Sequence, residues 1–196
     1  MYTWGYIKES ALANLNMTTK EAVENGLINK FHYWANEVIT QVSSAVKPKR
    51  TFADFTIEED DTFIEKTMPD DFVSFGSDLS LIYKVNEYGE LECEECSDDD
   101  FIYRGYNKIL FLREGKFNVS YNARWFTFNS TLPDNTELDI PADIVECIPS
   151  YIAMKGYKTI DEYKSTVFKN EYEVQLARID DSHYETNTSF KIGGGW

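Results

Sequence analysis

The spacing of hydrophobic residues predicts helices at both ends of the chain. After Gly26, apolar residues recur every three or four positions, as on one helical face: Leu27, Phe31, Ala35, Val38, Ile39, Val42 and Val46. Thr18 and Glu21 form a capping-box pattern that predicts a helix start, and Pro48 blocks continuation. We therefore expect helical structure from Thr18 to Val46.

A penultimate helix is predicted from Ile140. Pro141 suits the first helical position, and Asp139 can cap it. One apolar face is formed by Ile144, Val145, Ile148, Tyr151 and Ile152. Pro149 predicts a kink within this helix, and Gly156 predicts its end.

The last predicted helix begins at a second capping-box pattern, Thr159 to Glu162, and ends at Asp180. Its apolar face consists of Phe168, Tyr172, Leu176 and Ile179.

The middle of the chain alternates apolar and polar residues, which is typical of β-strands. One such run contains Ala53, Phe55 and Ile57, and the other contains Phe117, Val119, Tyr121 and Ala123. Glu114-Gly115-Lys116 joins the segment KILFLR to the second run, with glycine where a positive φ is needed. We predict a hairpin there.

These elements predict an α+β fold. A helical bundle formed by N- and C-terminal helices (1–50 and 136–182) carries an inserted antiparallel β-rich subdomain (51–135). An extended, flexible C-terminal arm follows at 183–196. In the arm, Gly193, Gly194 and Gly195 favour mobility, whereas Phe190, Ile192 and Trp196 are large apolar groups. We predict that these six residues bind a partner.

The net charge of the chain disfavours some classes of binding partner. The formal net charge is -15, and half of the 34 acidic residues lie between Thr51 and Asp100. Binding to nucleic acid or to an anionic membrane through the overall field is therefore disfavoured. The N-terminus lacks the pattern of a secretory leader, no apolar run is long enough to span a bilayer, and the cysteine count of three is odd. We expect a cytosolic chain.

Metal binding has little support in the sequence. Cys93 and Cys96 have zinc half-site spacing, but Cys147, His32 and His183 are scattered as further ligands. Adjacent carboxylates would also raise a thiol pKa, which disfavours redox chemistry. The acidic runs Glu58–Asp61 and Asp98–Asp100 lack the alternation of a Ca²⁺ loop, so solvated charged loops are the better interpretation.

No catalytic motif is present in the sequence. We therefore predict a protein that is not an enzyme and that has no cofactor or metal. The aromatic clusters Phe31–Trp34 and Arg124–Phe128 indicate packing in a core or at a subunit interface. A rival hypothesis is a carbohydrate-binding module that uses the region of Trp125 and Tyr106 as a stacking platform.

Two segments stand out: MPDDFVSF at Met68–Phe75, and LDIPADIVECIPSYIAMKGYK at Leu138–Lys158, which is followed by the helix EYKSTVFKNEYEVQLARID. Together they resemble the head-to-tail adaptor (connector) proteins of tailed bacteriophages. In that family, N-terminal helices and two C-terminal helices form a bundle, with a variable β-rich segment inserted between them. The resemblance follows the order of elements along nearly the whole chain.

The resemblance implies a structural protein of the virion neck that is present in the host cytoplasm during assembly. Its partners would be the portal protein, tail or neck proteins, and copies of itself in a ring that is commonly dodecameric. Genomic DNA would pass through the ring channel without specific binding, and no membrane would be involved. An alternative in the same class is another neck or tail-completion protein.

Overall fold

The computed structural model describes residues 1–59, 62–75, 82–86, 88, 91–95 and 100–186, with the backbone alone for 91–95 and 180–186. The chain divides into two compact units. The helical unit combines Met1–Lys47 with the chain from Trp125 onward, and the β unit is Pro48–Arg124. The fold is mixed α+β with antiparallel sheets, as the sequence predicts.

The helical unit begins with a helix that the sequence analysis did not predict. Helix α1 spans Trp4–Leu15, and the side chain of Thr3 caps it by accepting a hydrogen bond from the Tyr6 amide at 3.2 Å. The signal for α1 is present in its buried apolar residues, which recur at helical spacing: Trp4, Ile7, Ala11, Leu12 and Leu15.

The segment predicted as continuous helix from Thr18 to Val46 is interrupted. The capping box at Thr18 and Glu21 is confirmed, and it starts the short helix α2 (Thr19–Glu24). Gly26 has a φ of 67°, a left-handed conformation that stops α2. A 3₁₀ turn then leads to α3 (Phe31–Gln41), which continues as a π-helical turn, Val42–Val46, and ends where predicted.

Helix α4 spans Ala142–Tyr157, so Pro141 is its N-cap and not its first helical residue. The prediction that Gly156 ends this helix is wrong, because Gly156 lies inside α4. Its function there is close packing. A Cβ atom at this position would lie 2.6 Å from Leu15 Cδ2, and such a separation is too short for two carbon atoms.

Helix α5 spans Glu162–Thr186 and is capped differently from the prediction. The Asp161 carboxylate, and not Thr159, accepts a hydrogen bond from the Lys164 amide at 3.1 Å. The helix also continues beyond Asp180 and includes His183, which we expected to follow it. Residues 183–186 of the predicted arm are therefore helical.

One hydrophobic core joins the helices of the helical unit, with Phe31, Ile39, Ile144, Ile148 and Ile152 among its fully buried members. The segment 125–135, which the sequence analysis placed in the β insertion, belongs to this unit. Phe128 is buried in the core, and its backbone amide and carbonyl both hydrogen-bond the Asn36 side chain at 2.8 Å. Trp125, Phe126 and Leu132 pack against the same core.

The β unit contains one larger sheet built around the long strand β8 (Gly115–Ala123). Strand β1 (Lys49–Ile57) pairs with β8 along its whole length. Strand β3 (Phe72–Ser74) and strand β4 (Ile82–Val85) pair with different parts of β8, and β5 (Leu91–Glu95) pairs with β4. The two strands predicted from alternation are thus confirmed.

A second sheet has the order β2-β7-β6, from Glu65–Thr67, Lys108–Phe111 and Phe101–Arg104. The predicted hairpin between KILFLR and the following strand is wrong, because β7 and β8 belong to different sheets. Gly115 does have a positive φ, 144°, but there it lets the chain cross from one sheet to the other.

A separate core lies within the β unit. Its fully buried members include Ile82, Ile109, Phe111 and Phe117. Phe117, Val119, Tyr121 and Ala123 are all buried, so the alternation of β8 correctly identified its inward face.

Candidate interaction surface

The residues predicted to bind a partner, Phe190, Ile192, Gly193, Gly194, Gly195 and Trp196, lie outside the described residues. Their assignment stays a prediction. The candidate metal ligands Cys93, Cys96 and His183 also have side chains outside the described residues.

The remaining candidates for metal binding do not come together. Cys147 is a buried free thiol in α4, and burial raises its pKa to about 12. His32 is buried in α3 with its ring against Tyr33. In the part of the chain that the structure describes, no three His, Cys, Asp or Glu residues are grouped so that they could hold a metal ion.

Within the acidic run Asp98–Asp100, the described residue Asp100 is not solvated as we expected. Asp100 is 6% exposed, and its Oδ1 atom lies 3.4 Å from Lys84 Nζ and 3.5 Å from Arg113 Nη1. Its backbone carbonyl accepts a hydrogen bond from the Leu112 amide at 2.8 Å. Asp100 is therefore a structural ion-pair residue of the β unit. The side chains of Asp98 and Asp99 lie outside the described residues.

The residues of the rival stacking platform have structural contacts of their own. The Trp125 indole packs against the core of the helical unit, and its Nε1 atom donates to the Lys47 carbonyl at 2.7 Å. Tyr106, in the β unit, is exposed, but its hydroxyl donates to the Val73 carbonyl and its ring stands edge-on to Phe72. Both aromatic side chains are therefore fixed in place by contacts within the fold.

The helical unit has an open groove of about 430 Å³ between α3 and α4, which we call the α3–α4 groove. Its lining residues are Tyr33, Asn36, Glu37, Thr40, Gln41 and Tyr151. Five of them lie on the face of α3 opposite the buried Phe31, Ala35 and Val38. The groove thus combines two tyrosine rings with amide, carboxylate and hydroxyl groups, a mixture that suits a partly apolar peptide.

A hydrogen-bonded cluster holds one wall of the groove in place. The Tyr151 hydroxyl donates to Glu37 Oε2 at 2.6 Å, and Lys155 Nζ lies 2.7 Å from the same oxygen. The Lys155 ammonium also stands 5.2 Å from the centre of the Tyr151 ring, within cation–π range. These contacts connect α3 to α4 and fix the orientation of the Tyr151 ring.

The charges of this cluster are mutually stabilised. Burial raises the pKa of Glu37, but the hydrogen bonds from Lys155 and Tyr151 outweigh burial and lower it below its ordinary value. The hydrogen bond to Glu37 is the main reason why the pKa of Lys155 is raised. The stabilisation from Glu37 is present above its unfolded-state pKa and is lost as the pH falls through its folded-state pKa.

Tyr172 of helix α5 contacts two residues that line the groove. The Tyr172 hydroxyl donates to Gln41 Oε1 at 2.8 Å, and its ring stands edge-on to Tyr151 with the centroids 4.9 Å apart. Burial raises the pKa of Tyr172, so this phenol stays protonated and donates its hydrogen bond throughout the neutral range.

A smaller depression of about 250 Å³ lies between α4 and α5, and it shares Tyr151 with the α3–α4 groove. Lys155, Lys158, Ser165, Thr166 and Lys169 also line it. Three lysines therefore line this depression, of which Lys155 is paired with Glu37 and Lys169 with Glu173.

The residue pattern of the sequence does not predict the α3–α4 groove. Its one sequence signal is the polar and aromatic set Tyr33, Glu37 and Thr40, which recurs at helical spacing. Nothing in the sequence indicates that Tyr151, far along the chain, forms the opposite wall.

No protein-family model and no curated protein sequence matches this chain. No helix in the described ranges is long and apolar enough to cross a membrane.

Proposed function

We propose that this protein is a head-to-tail adaptor of a tailed bacteriophage, a structural protein that forms a ring between the portal and the tail. The observation that carries the proposal is the arrangement of the chain. Segments from both ends fold into one helical unit, and the segment between them folds as a separate antiparallel β unit. In the family that the sequence resembles, N-terminal and C-terminal helices form a bundle, and a β-rich segment is inserted between them.

The segments that carry the resemblance are integral to the two units. Met68 and Phe72 of MPDDFVSF belong to the core of the β unit. LDIPADIVECIPSYIAMKGYK includes the whole of α4, whose buried residues form much of the helical core. We infer that both segments define the architecture and not a catalytic site.

The acidic charge of the β unit suits a DNA channel. Exposed carboxylates in the described part of this unit include Asp54, Glu58, Glu59, Glu65, Asp70 and Asp71. Acidic residues lining or rimming a channel would repel phosphate groups, so that DNA slides through without binding.

The contact between subunits in the ring would join the C-terminal arm of one copy to the α3–α4 groove of the next. Residues 187–196 follow α5 and can span at most ~35 Å if extended. The anchors would be the side chains of Phe190, Ile192 and Trp196. The walls of the groove that receive them would be formed by Tyr33 and Tyr151. A contact between two different surfaces is heterologous, which is the kind that closes into a ring.

The test measures assembly on the portal. The purified protein, alone and mixed with the portal protein of the same genome, is examined by mass photometry. We expect a portal complex that carries many copies. Deletion of Thr188–Trp196 should leave the helical content by circular dichroism unchanged and weaken portal docking or ring formation.

Point variants test the groove separately. Tyr33→Ser should weaken ring formation, whereas the control Tyr88→Ser, at an exposed tyrosine of the β unit, should not. Absence of any portal complex would contradict the adaptor proposal and favour a tail-side component. If ring formation is intact in both the deletion and Tyr33→Ser, the arm-in-groove contact is wrong.

A further inference from the structure

Helix α5 has a buried side that packs in its own unit. Phe168, Tyr172, Leu176 and Ile179 lie in or against the helical core. The Phe168 ring stacks on Tyr157 with the planes 7° apart. One face of α5 is therefore buried within the helical unit.

The opposite face of α5 carries a line of exposed residues, four apolar or aromatic and one amide. Tyr163 is 79% exposed, Val167 45% and Val174 53%, and the exposed residues Asn170 and Ala177 continue the line. We call these five residues the outer stripe. With a turn of about 100° per residue, the outer stripe lies on the side of the helix directly opposite the buried face.

The outer stripe has the spacing of a coiled-coil seam. Its residues follow one another at intervals of four, three, four and three, the heptad alternation of a and d positions. In this register Val167 and Val174 occupy a positions, and Tyr163, Asn170 and Ala177 occupy d positions. The unpartnered face is therefore shaped for another helix.

We propose that the outer stripe binds the outer stripe of a second copy of this chain, with the two α5 helices parallel and in register. In this arrangement Asn170 faces Asn170 of the other copy, where two amides can hydrogen-bond to each other. The antiparallel alternatives place Asn170 against Val167 or Val174, which leaves a buried amide facing an apolar side chain.

The flanking charges favour the same arrangement. In a parallel pair, a g residue lies next to the e residue five positions later in the other helix. Glu173 of each copy then lies next to Arg178 of the other, which gives two complementary pairs related by the two-fold axis. Within each copy, Glu173 also has an exposed ion pair with Lys169, at 3.7 Å.

This pairing is separate from the proposed ring contact. A two-fold contact is closed and yields a dimer, whereas the arm-in-groove contact joins different surfaces and can continue around a ring. The pairing does not rest on the phage assignment, so either proposal can fail while the other holds.

The test measures the mass of the full-length protein by analytical ultracentrifugation over a wide concentration range. We expect the wild-type chain to approach twice its monomer mass as concentration rises. Val174→Asp should stay monomeric at every concentration. The control Val23→Asp replaces a valine on α2 that is 57% exposed, and it should dimerise like the wild type.

Charge exchange tests the orientation. Glu173→Arg and Arg178→Glu should each weaken dimerisation by about tenfold or more. Mixing these two variants should restore it, because every cross-helix pair is then complementary. The double variant should dimerise by itself. Helical content by circular dichroism confirms that each variant is folded.

Three results would overturn the proposal. A wild-type chain that is monomeric at all concentrations excludes the second copy as the occupant, and loss of portal binding in Val174→Asp would then assign the stripe to that partner. A dimer insensitive to Val174→Asp uses another surface. A mixture of the charge variants that does not restore dimerisation excludes the parallel arrangement.

Discussion

The helical unit and the β unit are built from the chain in different ways. The helical unit needs two segments that are separated by the whole β unit, whereas the β unit is one uninterrupted segment. Each has its own hydrophobic core, and the described members of one core do not appear in the other. We therefore predict that the β unit, which is inserted in the sequence of the helical unit, can fold by itself.

The largest expected effect comes from separating the two units. Within the helical unit, Lys47 and Trp125 are held together by a hydrogen bond of 2.7 Å, so a short linker can replace the residues between them. We expect a chain with a Gly-Ser linker in place of Pro48–Arg124 to retain its helices. The fragment Pro48–Arg124 should fold alone with a β-type circular dichroism spectrum and a cooperative thermal transition.

A fragment that is unfolded when isolated would show that its core is not sufficient for stability. A shuffled Pro48–Arg124 sequence of the same composition serves as the control for residual structure in the fragment.

Core truncations should each destabilise one unit. Phe31→Ala in the helical unit and Phe117→Ala in the β unit remove fully buried rings, which costs ~3–5 kcal/mol of unfolding free energy. Hydrogen exchange should increase in the truncated unit alone. The exposed aromatic residues Tyr33 and Phe52 provide controls, because their replacement by Ala should cost less than ~0.5 kcal/mol. Increased exchange in both units would contradict their independence.

The helical unit was the more predictable from its sequence, because a helical face is a local pattern. The spacing of Phe31, Val38 and Ile39 identified the buried side of α3, and the Thr18 capping box was recognised from four consecutive residues. Gly156 shows the limit. A glycine required by close packing against Leu15 resembles a helix terminator unless the neighbouring helix is known.

The pairing of the β-strands was less predictable, because a strand can pair with another that is distant in the sequence. Alternation identified β1 and β8, but β7 and β8 are neighbours in sequence and belong to different sheets. The expectation of a solvated loop fails at Asp100 for a similar reason, since its partners Lys84 and Arg113 are not its neighbours in the chain. The α3–α4 groove likewise depends on Tyr151, whose position opposite α3 is a tertiary contact.

Alkaline pH should destabilise the helical unit before the β unit. Burial raises the pKa of Cys147 to about 12 from an unfolded-state value of 9.0, so its stabilisation is present below pH 9.0 and is lost as the pH rises above it. Burial also raises the pKa of Tyr151 and Tyr172 in this unit. In the β unit, burial raises the pKa of Tyr121 to about 12 from 10.0.

Thermal unfolding of the two separated units between pH 8 and pH 11 measures the difference. We expect the helical unit to lose ~4 kcal/mol over this range, with an onset about one pH unit lower than in the β unit. Cys147→Ser retains a donor for the Asp143 carbonyl but does not titrate in this range, so it should move the onset toward pH 10. An unchanged onset in that variant would contradict the assignment to Cys147.

Loss of the Asp100 charge should weaken the β unit alone. Asp100→Asn keeps the shape of the side chain but removes the attraction to Lys84 and Arg113, which are partly exposed and therefore partly screened by solvent. We expect a loss of ~1–2 kcal/mol, measured by urea denaturation. Glu65→Gln, which breaks the exposed pair with Lys108, is the control and should cost less than ~0.5 kcal/mol. Equal losses in the two variants would mean that the burial of Asp100 is unimportant.

The smallest expected effect tests the capping box of α2. The Thr18 hydroxyl accepts a hydrogen bond from the Glu21 amide at 3.3 Å, and Thr18→Ala leaves this amide without its partner at the start of a six-residue helix. We expect a loss of ~1 kcal/mol and faster hydrogen exchange within α2. Thr166→Ala is the control, because its hydroxyl donates to the Glu162 carbonyl inside α5, where replacement should be nearly neutral. Equal effects would show that loss of a threonine hydroxyl, and not of the cap, is being measured.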